Sequence, residues 1–325
     1  MAGDALSDLL QTVRLTGATY FDVTCTDPWA AEQPPRDVIL RKVRPGAAHL
    51  IAYHVVVEGR CYAGLIGRDA IPLEAGAVVV FTNGDPHVLS SQPGMRANPL
   101  APQAVEAALS GPLPHVIGYG GAGSPSAKLV CGFLACDSAP FNPLLDNLPA
   151  VITARDAGDS GWLGQFIRFA MKESAERRAG GESVLAKLSE LMFIEVVRRH
   201  LESLPPEKSG WLAGLRDPFV GKAVSLLHAR PAHGWTIEEL AREVGLSRSV
   251  LAERFGDLIG IPPMQYLAQW RMQIASGMLG GGNANLATIA AAIGYDSEAS
   301  FSRAFKRMAG VSPSVWRARG GGRGA

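Results

Sequence analysis

Cysteine is scarce in this chain of 325 residues: Cys25, Cys61, Cys131 and Cys136 are the four, and no two of them stand as a CxxC pair. That spacing excludes zinc-ribbon and thioredoxin-like motifs, and four cysteines in a chain this long make no disulfide framework. Long hydrophobic runs are missing too. No stretch reaches the roughly 18 apolar residues that a membrane-spanning helix needs. The segment MAGDALSDLLQTVRL lacks the basic start and cleavage site of a secretory signal. The expectation is a cytoplasmic protein with reduced thiols. Nor is there an excess of charge, since 31 Lys and Arg balance 30 Asp and Glu. With 47% hydrophobic and 19% charged residues, the chain is expected to be globular rather than disordered. At roughly 100 to 200 residues per domain, its length points to two domains.

The charge is unevenly placed. Residues 217–325 hold 12 Lys and Arg against 8 Asp and Glu, a net of +4, whereas the remainder carries 19 against 22, a net of −3. Ten of those 12 cations are arginine, the side chain suited to forked contacts with phosphates and guanine edges. High-GC coding bias enriches arginine as well, and charged residues also occur simply as solvated surface.

The basic region repeats itself. Phe255, Gly260, Pro263 and Tyr266 recur 50 residues later as Phe305, Gly310, Pro313 and Trp316. In each copy a small residue stands four before a glycine, Ala241 with Gly245 and Ala290 with Gly294. A small residue lets two helices approach, and a glycine permits the sharp turn between them, so the pattern reads as a helix-turn-helix present twice. Thr236 followed by Glu239 fits a capping box that starts the first helix, and Ser247 can cap the second. Leu251 and Phe255 then face inward and leave Ser249, Ala252 and Glu253 toward a DNA groove, with Arg248 and Arg254 flanking near the phosphates. Glu253 can accept from a cytosine amine or only orient a neighbour.

The second copy starts at Asn285 and has a turn one residue longer. Phe301 and Phe305 form its inward pair, Glu298, Ser302 and Arg303 project outward, and Ser300, Lys306 and Arg307 are placed for the backbone. Ser247 and Ser297 complete the candidate DNA-contacting set. Arg303 is the strongest candidate for base readout, because a guanidinium can donate twice to guanine for about 1–3 kcal/mol of discrimination. Between the copies, Pro263 opens a helix through Tyr266, Trp270, Ile274 and Met278. About 16 residues of helix span roughly 24 Å, enough to hold two recognition helices near one duplex turn apart.

Residues 217–319 resemble the AraC/XylS family of bacterial transcription regulators. The resemblance rests on TIEELAREVGLSRSVLAERF, NLATIAAAIGYDSEASFSRAF, the intervening PPMQYLAQWRMQIA and the closing GVSPSVWR. It implies a regulator that binds promoter DNA, commonly as an activator contacting RNA polymerase.

The N-terminal half reads differently. Residues 6–15 have helical spacing, and from about 18 to 137 short runs such as LIAYHVVVEG, AVVVFT and KLVCGFL alternate with Gly and Pro, indicating an antiparallel barrel or sandwich. Residues 91–127, rich in Gly, Pro, Ser and Ala, are expected to form a long mobile loop. Trp162, Phe166, Phe169 and Ala170 mark one helical face, and Leu185, Leu188, Leu191, Met192 and Val196 a second stripe. That stripe either packs on its own domain or forms the seam of a homodimer. The segment from Pro205 and Pro206 to Gly214 reads as a linker. The expected architecture is α+β in two domains: a β-barrel with helical dimerisation region over 1–206, a linker over 207–216, and an all-α domain over 217–319 with helix-turn-helix motifs at 236–256 and 285–306.

PLEAGAVVVFTNGDPH resembles the second half of the cupin signature, with Gly76, Gly84 and His87 in place and Thr82 where proline is usual. The first half normally supplies two histidines and a glutamate, of which only His54 is present, so the ligand set of a metal oxygenase is incomplete. Two sensor chemistries stay open. Cys25, His54, His87 and Cys131 would make a tetrahedral zinc or redox site if they converged, or they are core residues. Alternatively the barrel binds a small organic effector, with Trp29, Tyr53 and Tyr62 as candidate lining. The alternative function is a metal-dependent cupin enzyme fused to a DNA-binding module.

Overall fold

The computed structural model describes residues 5–13, 15–43, 47, 49–110, 113–136, 140–155, 161–176, 178–205 and 210–321. They form two compact units, Leu15–Asp137 with Leu148–Ser203, and Met1–Arg14 with Ser138–Asn147 and Leu204–Ala325. The helix α1 (Ala5–Val13) belongs to the second of these and is taken up with it.

The sensor unit runs through β1 (Thr16–Thr26), β2 (Ala30–Glu32), α2 (Arg36–Val43), β3 (His49–Leu65), β4 (Ile71–Glu74), β5 (Ala77–Phe81), β6 (His87–Ser90), α3 (Pro102–Ala108), β7 (His115–Gly120) and β8 (Ala127–Cys136). After α4 (Pro143–Asn147), which packs with the other unit, it resumes with β9 (Val151–Arg155), α5 (Trp162–Glu176) and α6 (Gly181–Ser203). Its strands join in one sheet in the order β2-β6-β3-β8-β1-β7, with β4 and β5 also on β3 and β9 on β5. Every pairing is antiparallel except β1 with β7.

Strand β3 organises the sheet because it serves two sets of neighbours. Its first half pairs with β5 and β8, its second with β4 and β6. The change falls at Gly59, where φ is +77° and a Cβ would meet the Ser126 carbonyl oxygen at 2.0 Å, so only glycine fits. Leu50 to Val56 are buried on both faces. One face looks into the curved sheet, while α6 packs over β1, β8 and β9. Tyr53 turns to that helix and its hydroxyl meets Ser189 Oγ at 2.6 Å.

The structure corrects two expectations for this half and places most of a stripe whose role was left open. Residues 91–127 are not one long loop, since α3 and β7 lie within them and Val105 is buried. The inward face of α5 is Leu163, Ile167 and Ala170, and Trp162 and Phe169 are exposed. The sequence offered two apolar faces there, and packing chose the aliphatic one. In α6, Leu185, Met192 and Val196 are buried in their own unit, and Leu191 is the member of the stripe left exposed.

The second unit adds α7 (Trp211–Arg216), α8 (Pro218–Ala229), α9 (Ile237–Val244), α10 (Arg248–Ile259), α11 (Pro263–Gly281), α12 (Leu286–Ala292), α13 (Glu298–Ala309) and α14 (Pro313–Gly321). Residues 211–216 of the expected linker are thus a helix, anchored by the buried Trp211; residues 206–209 lie outside the described set. Helix α1 packs on α8 and α11, and α4 on α7. The centre of this packing is polar. Tyr266 Oη accepts from Trp211 Nε1 at 2.8 Å and lies 2.9 Å from His228 Nε2, whose ring stacks on Trp270.

Helix α11 is the common beam. Tyr266 contacts Phe255 of the first helix-turn-helix, while Met272, Ala275 and Leu279 share a core with Ile289, Phe301 and Phe305 of the second. At 19 residues it spans about 28 Å.

Candidate nucleic-acid interface and effector cavity

Each recognition helix is set by its cap. Ser247 Oγ accepts from the Val250 amide, and Ser297 Oγ from the Ser300 amide at 3.2 Å. The preceding helices start on Thr236 and Asn285, which accept from Glu239 and Thr288. Such caps satisfy amides that a helix start leaves open. The reciprocal half of the capping box is absent, because Glu239 is 2.9 Å from His233 instead. Left-handed glycines close the turns, Gly245 after α9 and Gly294 after α12.

Helix α10 buries Leu251 and Phe255 and exposes Ser249, Ala252 and Glu253. It also exposes Val250, which the sequence pattern did not single out. Such a side chain can meet a thymine methyl group. The two arginines of this helix are already engaged. Arg248 pairs with Glu238 at 2.9 Å, and Arg254 with Asp217 at 2.8 Å, where Asp217 also caps α8. On α13, Phe301 and Phe305 are fully buried, Ser300 and Ser302 half-buried, and Glu298, Arg303, Lys306 and Arg307 exposed. Arg303, Lys306 and Arg307 make no ion pair among the described residues, so the open positive charge of the two recognition helices is concentrated on α13.

The sensor unit holds a cavity of about 100 Å³, lined mainly by apolar side chains such as Phe21 of β1, Val105 of α3, Ile117 of β7 and Leu129 of β8, together with His54, His87 and Cys131. His54 comes from β3, opposite Cys131 of β8, and His87 from the start of β6. Their Nε2 atoms lie 2.8 Å apart. The protons can be placed. His87 Nδ1 is 2.8 Å from the Asp85 carbonyl oxygen, an atom that only accepts, so Nδ1 carries the hydrogen. Burial lowers His87 to about 4 and drives His54 well below 6.5, so both rings are neutral at neutral pH. His87 Nε2 is therefore the acceptor, His54 Nε2 donates to it, and His54 Nδ1 is left as a bare lone pair.

The four-residue metal or redox set does not assemble. Among the described residues no three His, Cys, Asp or Glu side chains are placed to hold a metal ion. Cys25 sits in the apolar core instead of on the cavity wall. Burial pushes Cys25 up to about 12 and Cys131 well above 9, so both are neutral thiols and poor nucleophiles. Of the expected aromatics Trp29 lines the cavity, whereas Tyr53 points to α6 because adjacent residues of a strand face opposite ways, and Tyr62 is not on the wall. The sequence did not reveal Gln33 or the contribution of α3, which depend on how distant segments fold over the barrel.

Comparison with known proteins identifies both domains. Residues 4–202 match the cupin family, and residues 240–319 match a helix-turn-helix domain. A protein of Streptomyces lividans, described as an AraC-like transcription regulator, is 34% identical over 316 residues, 97% of this chain and 98% of its own. The chain belongs to the AraC-like transcription regulators. A Streptomyces antibioticus protein of the same description is 41% identical over 175 residues, 54% of this chain and 58% of that one. A crystal structure of an AraC-type regulator from Chromobacterium violaceum is 27% identical over 33% of this chain and 96% of that one, with a TM-score of 0.31. This AraC-like regulator thus joins a cupin domain to a DNA-binding domain, and among its described residues no helix is long and apolar enough to cross a membrane.

Proposed function

We propose that this AraC-like regulator reads promoter DNA through α10 and α13 and is controlled by an effector in its cupin cavity. The observation that carries the first part is α11, whose two ends are built into the cores of the two helix-turn-helix units. A shared rigid helix fixes the separation of the recognition helices and matches it to successive major grooves. The contacting residues are Ser249, Val250, Ala252 and Glu253 of α10 and Glu298, Ser302, Arg303, Lys306 and Arg307 of α13, with Ser247, Ser297 and Ser300 setting the helix starts. Arg248 reaches phosphate by exchanging Glu238, and Arg254 holds Asp217.

The protein acts in the cytoplasm as an activator that contacts RNA polymerase, and as a homodimer. The exposed Trp162, Phe169 and Leu191 on α5 and α6 support the dimer, because large apolar side chains left on a surface favour a protein partner. A metal-dependent cupin enzyme would need several ligands around an open position, and here two imidazoles meet. Footprinting on promoter fragments tests the DNA reading: each protomer is expected to protect two segments about 10 base pairs apart on one face of the duplex. Protection of a single segment would rule out the two-groove geometry.

A further inference from the structure

The cupin cavity carries polar atoms that its own fold leaves unused. Trp29 Nε1, Gln33 Oε1 and His54 Nδ1 are buried without a hydrogen-bond partner, and all three residues line the cavity. Their residues are 2%, 9% and 7% exposed. Buried polar atoms are normally satisfied, so three orphans among the residues that line one cavity call for a partner from outside the chain. Their chemistry is defined. Indole Nε1 only donates. Gln33 Nε2 is committed to the Gly84 carbonyl oxygen at 3.2 Å, which fixes Oε1 as an acceptor. His54 Nδ1 is an acceptor through the proton order set by Asp85 and His87.

The cavity offers no free charge. Glu32, the single acidic side chain on its wall, is held through both oxygens by Arg96 at 2.8 Å, and no Lys or Arg lines it. A carboxylate would find no cation there and an ammonium no open anion. The rest of the wall, including Phe21, Ile39, Val105 and Leu129, is apolar.

We propose that the cavity binds an uncharged, mainly apolar molecule bearing a hydroxyl group, whose O–H is donated to His54 Nδ1 or Gln33 Oε1 and whose oxygen accepts from Trp29 Nε1. This rests on the reading of the cupin unit as the effector site, and it names the chemistry of that effector.

The test uses the full-length protein and four probes of one size, hexan-1-ol, its isomer 1-methoxypentane, hexanoate and hexylammonium, with binding measured by calorimetry and saturation-transfer NMR near neutral pH. The alcohol is expected to bind about tenfold or more tightly than the ether, which cannot donate, and than either ion. His54→Phe keeps an apolar ring in place and is expected to reduce the preference for alcohol over ether. Trp29→Phe, which removes the indole N–H together with its five-membered ring, is expected to weaken both the alcohol and the ether, whose oxygens accept from it, and serves if the first variant does not fold. Ether or an ion binding as tightly as the alcohol, or no probe binding at millimolar concentration, overturns the proposal. Footprinting of the same preparation separates the two levels: DNA protection without probe binding defeats this inference alone, and no selective protection either with or without a probe defeats the regulator reading beneath it.

Discussion

At the scale of single residues, exposure and prior engagement separate the arginines. Arg303 is open on α13 and Lys306 stands one turn further on, so Arg303→Ala is expected to relax specificity at one base position, a loss of about 1–3 kcal/mol of discrimination. Lys306→Ala is expected to weaken cognate and scrambled sites alike and to lower the salt slope by about one. Binding titrations on both sites at two salt concentrations check this, and equal losses for the two variants would contradict it. Arg254 is different, because it holds Asp217, whose carboxylate also accepts from the Phe219 and Val220 amides. Burial alone raises the Asp217 carboxyl, but Arg254 and the two amides outweigh it and the net direction is down from 3.8. Its contribution is therefore present above 3.8 and lost as pH falls through the lower folded value. Asp217→Ala is expected to cost about 1 kcal/mol as a lost cap, read as a drop of a few degrees in Tm at neutral pH that shrinks in acid.

At the scale of elements, the two copies of the helix-turn-helix share a pattern without sharing surroundings. Gly245 and Gly294 are equivalent in sequence and both adopt positive φ, at +86° and +79°. A Cβ on Gly245 meets nothing within 4 Å, whereas one on Gly294 meets the Ala232 carbonyl oxygen at 2.5 Å. Gly245→Ala should therefore cost only the left-handed backbone term of about 1–2 kcal/mol. Gly294→Ala should cost clearly more, because backbone cannot yield as a flexible side chain can. Urea unfolding of both variants decides, and similar midpoints would refute the close approach. The same contrast explains what was legible. Caps, turn glycines, inward phenylalanines and the spacer helix follow from local rules and stand where the pattern put them. The inward face of α5, the helix within 91–127 and the helix at 211–216 depend on partners distant in sequence.

At the scale of the whole molecule, buried neutral histidines tie stability to pH in both units. His54 and His87 in the cupin unit and His228 in the DNA-binding unit are all lowered by desolvation, His87 to about 4 and His228 to about 3. Unfolded histidine takes up a proton near 6.5. Above that value folded and unfolded states are both neutral and stability is full. Below it the unfolded chain binds protons first, so stability falls with pH by up to about 1.4 kcal/mol per pH unit for each histidine. Calorimetry from neutral pH down to about 5 is expected to show a falling Tm, with a shallower fall in His228→Phe. A flat profile would mean that these rings are not neutral in the native state.

The duplicated motif, its caps and turns, and the uneven placement of arginine identified an AraC-like DNA-binding domain from sequence alone, because helix starts, tight turns and inward periodicity are dictated by neighbours within a few residues. The cupin signature likewise located His54 and His87. What tertiary structure decided was their meaning: strand register set the two imidazoles against each other and kept Cys25 in the core, and the packing of distant segments brought Trp29 and Gln33 to the same cavity. Those relations arise from pairings 30 or more residues apart, where small differences in packing free energy, not local propensity, select the arrangement.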